Sequence, residues 1–280
     1  MRRSHVPVVS LALVGALVLF VAPASAQAIN RDLFDRLNTQ LLYVALPLTV
    51  FVEIILVYAV VRFKDNPDPK PTIADPSLEI TWTAATAVIL LFVGFSAYTV
   101  LGSAYVSPSG QVAAEPASPD AVPDDAVAVN VTAYQFGWEF HYPQSNTTTQ
   151  GELVVPTDRE VYLRLRATDV IHSLFVPDWG IKQDVFPGQT TLVHTNVYQP
   201  GVYRLYCAEL CGVGHSRMTG NATAVSEQTY RSWLDAHRDE TGVTTAPEPR
   251  TDQTPEDPVP EPPTNVSNVT NVSNVSNATS

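Results

Sequence analysis

The sequence predicts two membrane-spanning helices followed by an all-β domain that ends in a short helix. Two apolar runs, 41–61 and 81–101, are each long enough to cross a bilayer, which requires about 20 residues. From residue 127 onward, apolar and polar residues alternate in short stretches separated by Pro, Gly, Asn and Asp. The composition supports a membrane-bound segment, because 45% of the 280 residues are hydrophobic and only 16% are charged.

The first 26 residues have the organisation of a secretory signal peptide. Arg2 and Arg3 precede an apolar stretch, and the segment ends in the small residues Ala24-Ser25-Ala26. We therefore predict a signal peptide over 1–26, with cleavage before Gln27. An uncleaved first membrane helix is the alternative, which a glycine and a proline within the segment disfavour.

A membrane anchor is predicted over 27–102, with the two apolar runs as its helices. The loop between them carries Arg62, Lys64 and Lys70, whereas 103–129 contains neither lysine nor arginine. The positive-inside rule therefore places the loop in the cytoplasm, and cleavage of a signal peptide gives the same orientation. We expect a two-pass protein of the cell membrane whose C-terminal domain lies on the external side.

The segment 103–126 is rich in Pro, Ala, Ser and Asp, which predicts an extended linker. The β domain is predicted over 127–240, where alternating apolar residues indicate strands. Five strands are expected: 127–131, 161–165, 190–195, 201–206 and 220–225. Ser226 is the predicted N-cap of the final helix. Four residues fall on one face of this helix: Tyr230, Trp233, Leu234 and His237.

The remaining residues, 241–280, are rich in proline and acidic residues and then become a three-residue repeat, so we predict a disordered tail. The repeat places asparagine two positions before serine or threonine, the acceptor pattern for N-glycosylation, although low-complexity expansion produces the same pattern. The predicted acceptors are Asn265, Asn268, Asn271, Asn274 and Asn277.

The charge balance disfavours a nucleic-acid partner. The chain has 28 acidic and 16 basic residues, a formal net charge of -12. Only three of the basic residues are lysines. An acidic, lysine-poor composition of this kind is typical of proteins from organisms that live in high salt. A protein with an ordinary acidic exterior has a similar composition.

The candidate metal ligands are concentrated in residues 206–218. Cys207, Cys211, His215 and Met218 provide thiolate, imidazole and thioether donors, a soft set that favours copper over magnesium or calcium. A disulfide between the cysteines is the alternative, but it leaves the histidine and the only methionine besides Met1 without a role. A mononuclear blue-copper site leaves the second cysteine without a role.

This segment resembles the CuA-binding segment of cytochrome c oxidase subunit II, the copper-bearing subunit of haem-copper terminal oxidases. The segment Asp169-Val170-Ile171-His172-Ser173-Leu174-Phe175-Val176-Pro177 is similar to the family's other copper loop. The resemblance covers about residues 30–240 and implies two N-terminal helices and a cupredoxin-like, Greek-key domain. It also implies two copper ions bridged by Cys207 and Cys211. Four further ligands follow: His172, His215, the Met218 thioether and the Glu209 backbone carbonyl.

The same resemblance implies that the chain accepts electrons from a small external carrier and passes them to haem in subunit I, where oxygen is reduced to water. A subunit III is a further expected partner. The Glu209 side chain is expected to help hold magnesium at the contact with subunit I. Glu79 is expected at the entrance of a proton path. A membrane-anchored copper carrier or assembly factor is the alternative function.

The family's aromatic motif is altered in this chain. Many members have Gln-Trp-x-Trp where this sequence has Gln135-Phe136-Gly137-Trp138, so the residues expected to receive electrons are Phe136 and Trp138. Phenylalanine keeps the apolar bulk of tryptophan but lacks the indole N–H. The donor can therefore be cytochrome c or a small blue-copper protein. Three other histidines are interpreted as structural or solvent-facing: His141, His194 and His237.

Overall fold

The computed structural model describes residues 26–71, 73–107, 122–123 and 125–249. Within them, two long helices precede two β-sheets and a short helix, so the predicted fold class is confirmed. The segment 1–25, most of the predicted linker and the asparagine repeat lie outside the described residues.

The first helix, α1, runs from Ile29 to Phe63 and is longer than the predicted span 41–61. At 1.5 Å per residue it extends about 50 Å, whereas a bilayer's hydrocarbon core is about 30 Å thick. Ion pairs between Arg31 and Asp35 and between Arg36 and Asp32 lie in its first turns. These charged turns are too polar to be predicted as membrane-spanning. The predicted span therefore starts later in the chain than the helix does.

The second helix, α2, runs from Pro76 to Leu101 and begins five residues before the predicted span 81–101. The Asp75 side chain accepts hydrogen bonds from the backbone N–H groups of Ser77 and Leu78, which caps the helix. In the most apolar 18-residue window of each helix, 0% of α1 and 6% of α2 is buried by the rest of the chain. Both helices therefore expose apolar surfaces suited to a bilayer or to partner helices.

Eleven strands and one further helix follow the hairpin in the described chain. The strands are β1 Val127–Tyr134, β2 Gly137–Tyr142, β3 Thr147–Gln150, β4 Glu152–Pro156, β5 Glu160–Ala167, β6 His172–Val176, β7 Ile181–Val185, β8 Thr191–Asn196, β9 Gly201–Cys207, β10 Thr219–Val225 and β11 Thr241–Val243. The helix α3 runs from Glu227 to Ala236. The five predicted strands correspond to β1, β5, β8, β9 and β10, and the other six strands were not predicted.

The strands form two sheets with the orders β11-β3-β2-β1-β5-β8 and β4-β10-β9-β6-β7. Neighbours in a sheet are often distant in the chain, as in Greek-key connections. The fully buried residues Trp138, Phe140, Leu163, Leu174 and Leu205 lie in the shared core. Apolar faces of both sheets therefore pack against one another in a cupredoxin-like sandwich.

The C-terminal helix α3 is capped by Ser226, as predicted, and packs its apolar face on the β domain. Ser226 Oγ accepts a hydrogen bond from the backbone N–H of Thr229. Tyr230 and Trp233 are buried, and Trp233 packs edge-on against Tyr142 at 5.3 Å. Leu234 also packs against the core.

The domain continues past residue 240, where the sequence analysis placed the start of the tail. Strand β11, Thr241–Val243, pairs in parallel with β3, and the backbone N–H of Thr148 donates to the carbonyl of Glu240. The three residues of β11 are Thr, Gly and Val, too short a run to give a periodic signal of its own. The strand conformation of β11 is therefore stabilised by pairing with β3 at the edge of the sheet.

The outer end of α1 packs directly on the β domain. Ala28 forms a β-bridge with Val197, and Ile29, Asn30 and Leu33 are buried. The Asn30 amide donates to the backbone carbonyls of Tyr105 at 2.6 Å and His194 at 3.0 Å. The predicted linker therefore begins with packed residues, and Tyr105 connects the end of α2 to the domain.

His194 is the centre of this junction. Its ring stacks between those of Tyr105 and Tyr162, with centroid distances of 4.3 and 4.1 Å. Its Nε2 lies 2.5 Å from the Glu160 carboxylate, which also accepts hydrogen bonds from the Tyr105 hydroxyl and the Asn196 amide. Burial acts to raise the pKa of Glu160, but these hydrogen bonds outweigh it and lower the pKa from 4.5. The expected structural role of His194 fits these contacts.

Replacing Glu160 with glutamine should weaken this junction. One carboxylate oxygen becomes an NH₂ group, which cannot accept a hydrogen bond from the donor that it faces. We expect the free energy of unfolding to fall by about 1 kcal/mol. Because the pKa of Glu160 is lowered in the folded state, its contribution is complete above pH 4.5 and is lost as pH falls through the lowered pKa. Thermal unfolding of the full chain at pH 7 and below pH 4 measures both effects.

Glu240→Gln is the matched control, because the Glu240 side chain is exposed and makes no hydrogen bond within the described residues. It should leave the unfolding midpoint unchanged. Equal midpoints for Glu160→Gln and the control at pH 7 would contradict the proposed contribution of the junction.

Candidate metal centre

Two segments supply the candidate ligands. Cys207 is the last residue of β9, and Cys211, His215 and Met218 follow in the connection to β10. His172 is the first residue of β6, which pairs with β9 so that Leu174 lies opposite Cys207. This pairing brings a histidine 35 positions earlier in the sequence beside the cysteine loop.

The two cysteine sulfurs lie at the middle of the cluster, 3.9 Å apart. Cys207 Sγ lies 3.8 Å from His172 Nδ1 and 3.2 Å from the Glu209 carbonyl oxygen. Cys211 Sγ lies 3.6 Å from His215 Nδ1 and 3.7 Å from Met218 Sδ. Each sulfur therefore has the other sulfur and two further donors around it. The structure brings together all six groups that the resemblance implies.

The cluster is largely closed to water. His172 and Met218 have no exposed surface, and Cys207 and Cys211 are 4% and 3% exposed. Both cysteines are free, so the alternative disulfide is not formed. Burial, together with the neighbouring Cys207 thiol, raises the pKa of the Cys211 thiol to about 11. Occupation by a metal ion must therefore displace protons from the thiols.

The donors fit a soft transition metal. Ligand atoms of His172, Cys207 and Cys211 lie within 4.8 Å of one another. Thiolates and imidazoles favour copper and zinc over magnesium or calcium, and a thioether adds a further soft ligand. A buried pair of thiols with no covalent bond between them is consistent with a metal site rather than a structural cross-link.

The aromatic residues near the cluster have different positions. Phe136 is half-buried, and its ring packs against the backbone at Gly212 and Gly214. Trp138 is fully buried, and its ring lies 6.3 Å from that of His172 in an edge-on arrangement. Trp138 therefore lies in the core, and only Phe136 of the two can contact an external molecule. Phe136 precedes β2 in the turn from β1, whereas Trp138 lies within the strand on its buried face.

Two polar residues beside the cluster were not among the predicted site residues. The Asp169 carboxylate accepts hydrogen bonds from His172 Nε2 and from the backbone N–H groups of Val170 and Gln135. Burial acts to raise the pKa of Asp169, but these hydrogen bonds outweigh it and lower the pKa. The Gln135 amide donates to the Cys211 carbonyl. Both residues lie in segments that carry the resemblance, but their contacts join loops that are separate in the sequence and are seen only in the fold.

The remaining predicted residues lie apart from the metal ligands or at their edge. Glu79 is in the first turn of α2, at the end of the hairpin away from the β domain. The Glu209 side chain is exposed beside the cysteine loop. His141 bonds Thr148 Oγ1, and His237 Nδ1 bonds the Trp233 carbonyl, so both have local partners.

Comparison with known proteins identifies two matching family models. The periplasmic domain of cytochrome c oxidase subunit II matches residues 139–225, and the transmembrane domain of the same subunit matches residues 14–100. The cytochrome c oxidase subunit 2 of a Synechocystis species is 30% identical over 272 residues, which cover 83% of this chain and 81% of the relative.

The cytochrome c oxidase subunit 2 of Alkalihalophilus pseudofirmus is 30% identical over 206 residues, covering 72% of this chain. The match spans 58% of that relative's length. The solved periplasmic domain of subunit II of cytochrome oxidase from Bradyrhizobium japonicum is 24% identical and covers 41% of this chain and 96% of its own. The TM-score of this match is 0.39.

Substitution of Gly214 by alanine should displace Phe136. A Cβ atom at position 214 would lie 2.4 Å from Cδ2 and 2.5 Å from Cγ of the Phe136 ring, so the ring or the cysteine loop must move. We expect a loss of about 1–3 kcal/mol in the free energy of unfolding. Gly94→Ala is the control, because a Cβ there meets nothing within 4 Å. Equal thermal midpoints for the two variants would contradict the close packing of Phe136 on this loop.

Proposed function

The chain belongs to the family of cytochrome c oxidase subunit II, and on this premise we propose that it is the electron-accepting copper subunit of a respiratory haem-copper oxidase. The observation that supports the proposal most directly is the convergence of six donor groups around two free, buried sulfurs. A structural cross-link needs only the sulfurs. An electron-transfer centre needs the other four donors as well.

We propose that the cluster holds two copper ions. Cys207 and Cys211 would contribute bridging thiolates, His172 and His215 one imidazole each, and Met218 its thioether. The sixth donor would be the Glu209 backbone carbonyl. Bound there, a copper pair linked by two thiolates would share one electron between its two metals.

The chain's own residues favour rapid electron transfer by holding the donors in place before any metal binds. The backbone N–H of Ala208 donates to the Ser173 carbonyl at 3.0 Å, which fixes the cysteine loop to β6. The N–H of Cys207 donates to the carbonyl of Met218 at 3.0 Å, which closes the same loop. Little rearrangement is then needed when the oxidation state changes, and the buried setting keeps water away from the sulfurs.

Phe136 is the proposed point of contact with the electron donor. Its half-buried ring lies against the cysteine loop, where Leu210 and Val213 are 78% and 97% exposed. Exposed aliphatic side chains beside a redox centre suit an apolar contact with a small carrier. Cytochrome c and a small blue-copper protein are the two proposed donors.

The proposed location is the cell membrane, with two crossings and the copper domain on the external side. Subunit I would accept the electron at its haem and reduce oxygen to water, and subunit III is a further proposed neighbour. We propose that Glu209 offers an oxygen ligand to magnesium at the contact with subunit I. Glu79, in the first turn of α2, is proposed as the entrance of a proton path.

Cys211→Ser should abolish the shared-electron state, because a serine oxygen is a hard ligand that does not replace a bridging thiolate. The copper-loaded wild-type protein should give a seven-line paramagnetic resonance signal with two coppers per chain, and the variant should give neither. Met218→Leu removes one proposed ligand but keeps both cysteine thiolates and the buried volume, so it should retain a shared-electron signal with altered splitting. A four-line signal from the wild-type protein would contradict the proposal and favour a copper carrier or assembly factor.

Phe136→Ala should slow reduction by the external donor, because it removes apolar contact area beside the cysteine loop without removing a ligand. We expect a roughly 10- to 100-fold lower bimolecular rate, comparable to losing a binding contact of about 1.4–2.7 kcal/mol. Stopped-flow reduction of the copper-loaded protein measures this rate. Unchanged reduction rates with an unchanged copper signal would remove Phe136 from the proposed docking contact.

A further inference from the structure

We infer that Asp169 is a positioning residue that fixes the His172 imidazole and the Gln135–Phe136 turn in one arrangement around the metal centre. The inference deepens the proposed function and rests on it for the identity of the metal. The contacts of Asp169 do not depend on the metal, because they join side chains and backbone groups of this chain alone.

The Asp169 carboxylate is shared among three donors. Oδ1 accepts from His172 Nε2 at 2.9 Å and from the backbone N–H of Val170 at 2.7 Å. Oδ2 accepts from the backbone N–H of Gln135 at 2.7 Å. Each carboxylate oxygen is therefore used, and the aspartate connects the β1–β2 turn to the first residue of β6.

The first contact selects one tautomer of His172. An ionised carboxylate accepts hydrogen bonds only, so the imidazole must carry its proton on Nε2. The lone pair then lies on Nδ1, which points toward Cys207 Sγ at 3.8 Å. Metal-binding histidines commonly have their other ring nitrogen held by a carboxylate in this way. Asp169 thus prepares the nitrogen that faces the sulfurs.

The Gln135 contact extends the same support to the cysteine loop. While its backbone N–H donates to Asp169, its side-chain amide donates to the Cys211 carbonyl. A Cβ at Gly212 would lie 2.9 Å from that amide nitrogen, so the loop and the glutamine are closely packed. Three separate segments, the β1–β2 turn, the start of β6 and the β9–β10 connection, are held together through two side chains.

Asp169 also places a negative charge beside the proposed copper pair. Its side chain is 30% exposed, so water screens the charge only in part. A nearby carboxylate stabilises the more positive, oxidised form of a metal centre. Removing the charge should therefore raise the reduction potential, an effect that a purely structural residue far from the metal would not produce.

Two substitutions separate orientation from charge. In Asp169→Asn, the amide oxygen still accepts from His172 and Val170, but the NH₂ group cannot accept from Gln135. In Asp169→Ala, every contact is lost. Asp178→Asn is the charge control, because Asp178 is an exposed carboxylate beyond the other end of β6, where the strand covers about 13 Å.

The first experiment is nitrogen NMR of the metal-free full chain in detergent, with ¹⁵N-labelled histidine. We expect a single Nε2-protonated form of His172 in the wild-type protein, in Asp169→Asn and in Asp178→Asn. Asp169→Ala should show a mixture of tautomers. The same single tautomer in Asp169→Ala would overturn the inference, whatever metal the site binds.

The second experiment measures copper affinity and reduction potential of the loaded chain. Asp169→Ala should bind copper about 10- to 100-fold more weakly, and Asp169→Asn should have a raised potential, while Asp178→Asn should match the wild type. Affinity and potential unchanged in both Asp169 variants would overturn the inference. A wild-type chain that binds no copper pair would instead refute the proposed function and leave the NMR result to decide the role of Asp169.

Discussion

The pairing of β6 with β9 is the interaction on which the metal centre depends. The cysteine loop alone gathers both sulfurs, His215 and Met218, but His172 belongs to a strand far away in the sequence. The register that sets Leu174 opposite Cys207 places His172 Nδ1 near the sulfur. A shift of one residue in this register would turn the histidine to the other face of the sheet.

Burial of the two sulfurs has one consequence for the chain without metal and another for the chain with metal bound. It raises the pKa of the Cys211 thiol to about 11, so the neutral thiol is favoured. The same burial keeps solvent from a metal bound to the thiolates and allows the surrounding protein dipoles to act strongly on it. The supporting hydrogen bonds from Gln135 and to Asp169 come from polar residues at the edge of this buried cluster.

The junction between hairpin and sandwich sets where the proposed copper domain lies relative to the membrane. Helix α1 is longer than a bilayer requires, and its N-terminal end packs against β8 and the turn after β6. At Gly180 an added Cβ would lie 2.8 Å from Arg31 backbone atoms, so this approach needs a glycine. Because Tyr105 stacks on His194, the end of α2 is tied to the same surface. Contacts from both helices thus fix the position of the β domain relative to the ends of α1 and α2.

Local patterns and motifs were enough to predict the two apolar helices, five of the strands, the capped C-terminal helix, and five side-chain donors with one carbonyl. Each of these is a local pattern or a motif whose residues could be read directly, including His172 through its similarity to a known loop. Other features are visible only in the folded chain: the burial of Trp138, the start of α1 at Ile29, the pairing of β11, and the contacts of Asp169 and Gln135 beside the candidate ligands. These features arise from contacts between segments distant in the chain, and such contacts leave no periodicity or spacing in a single sequence.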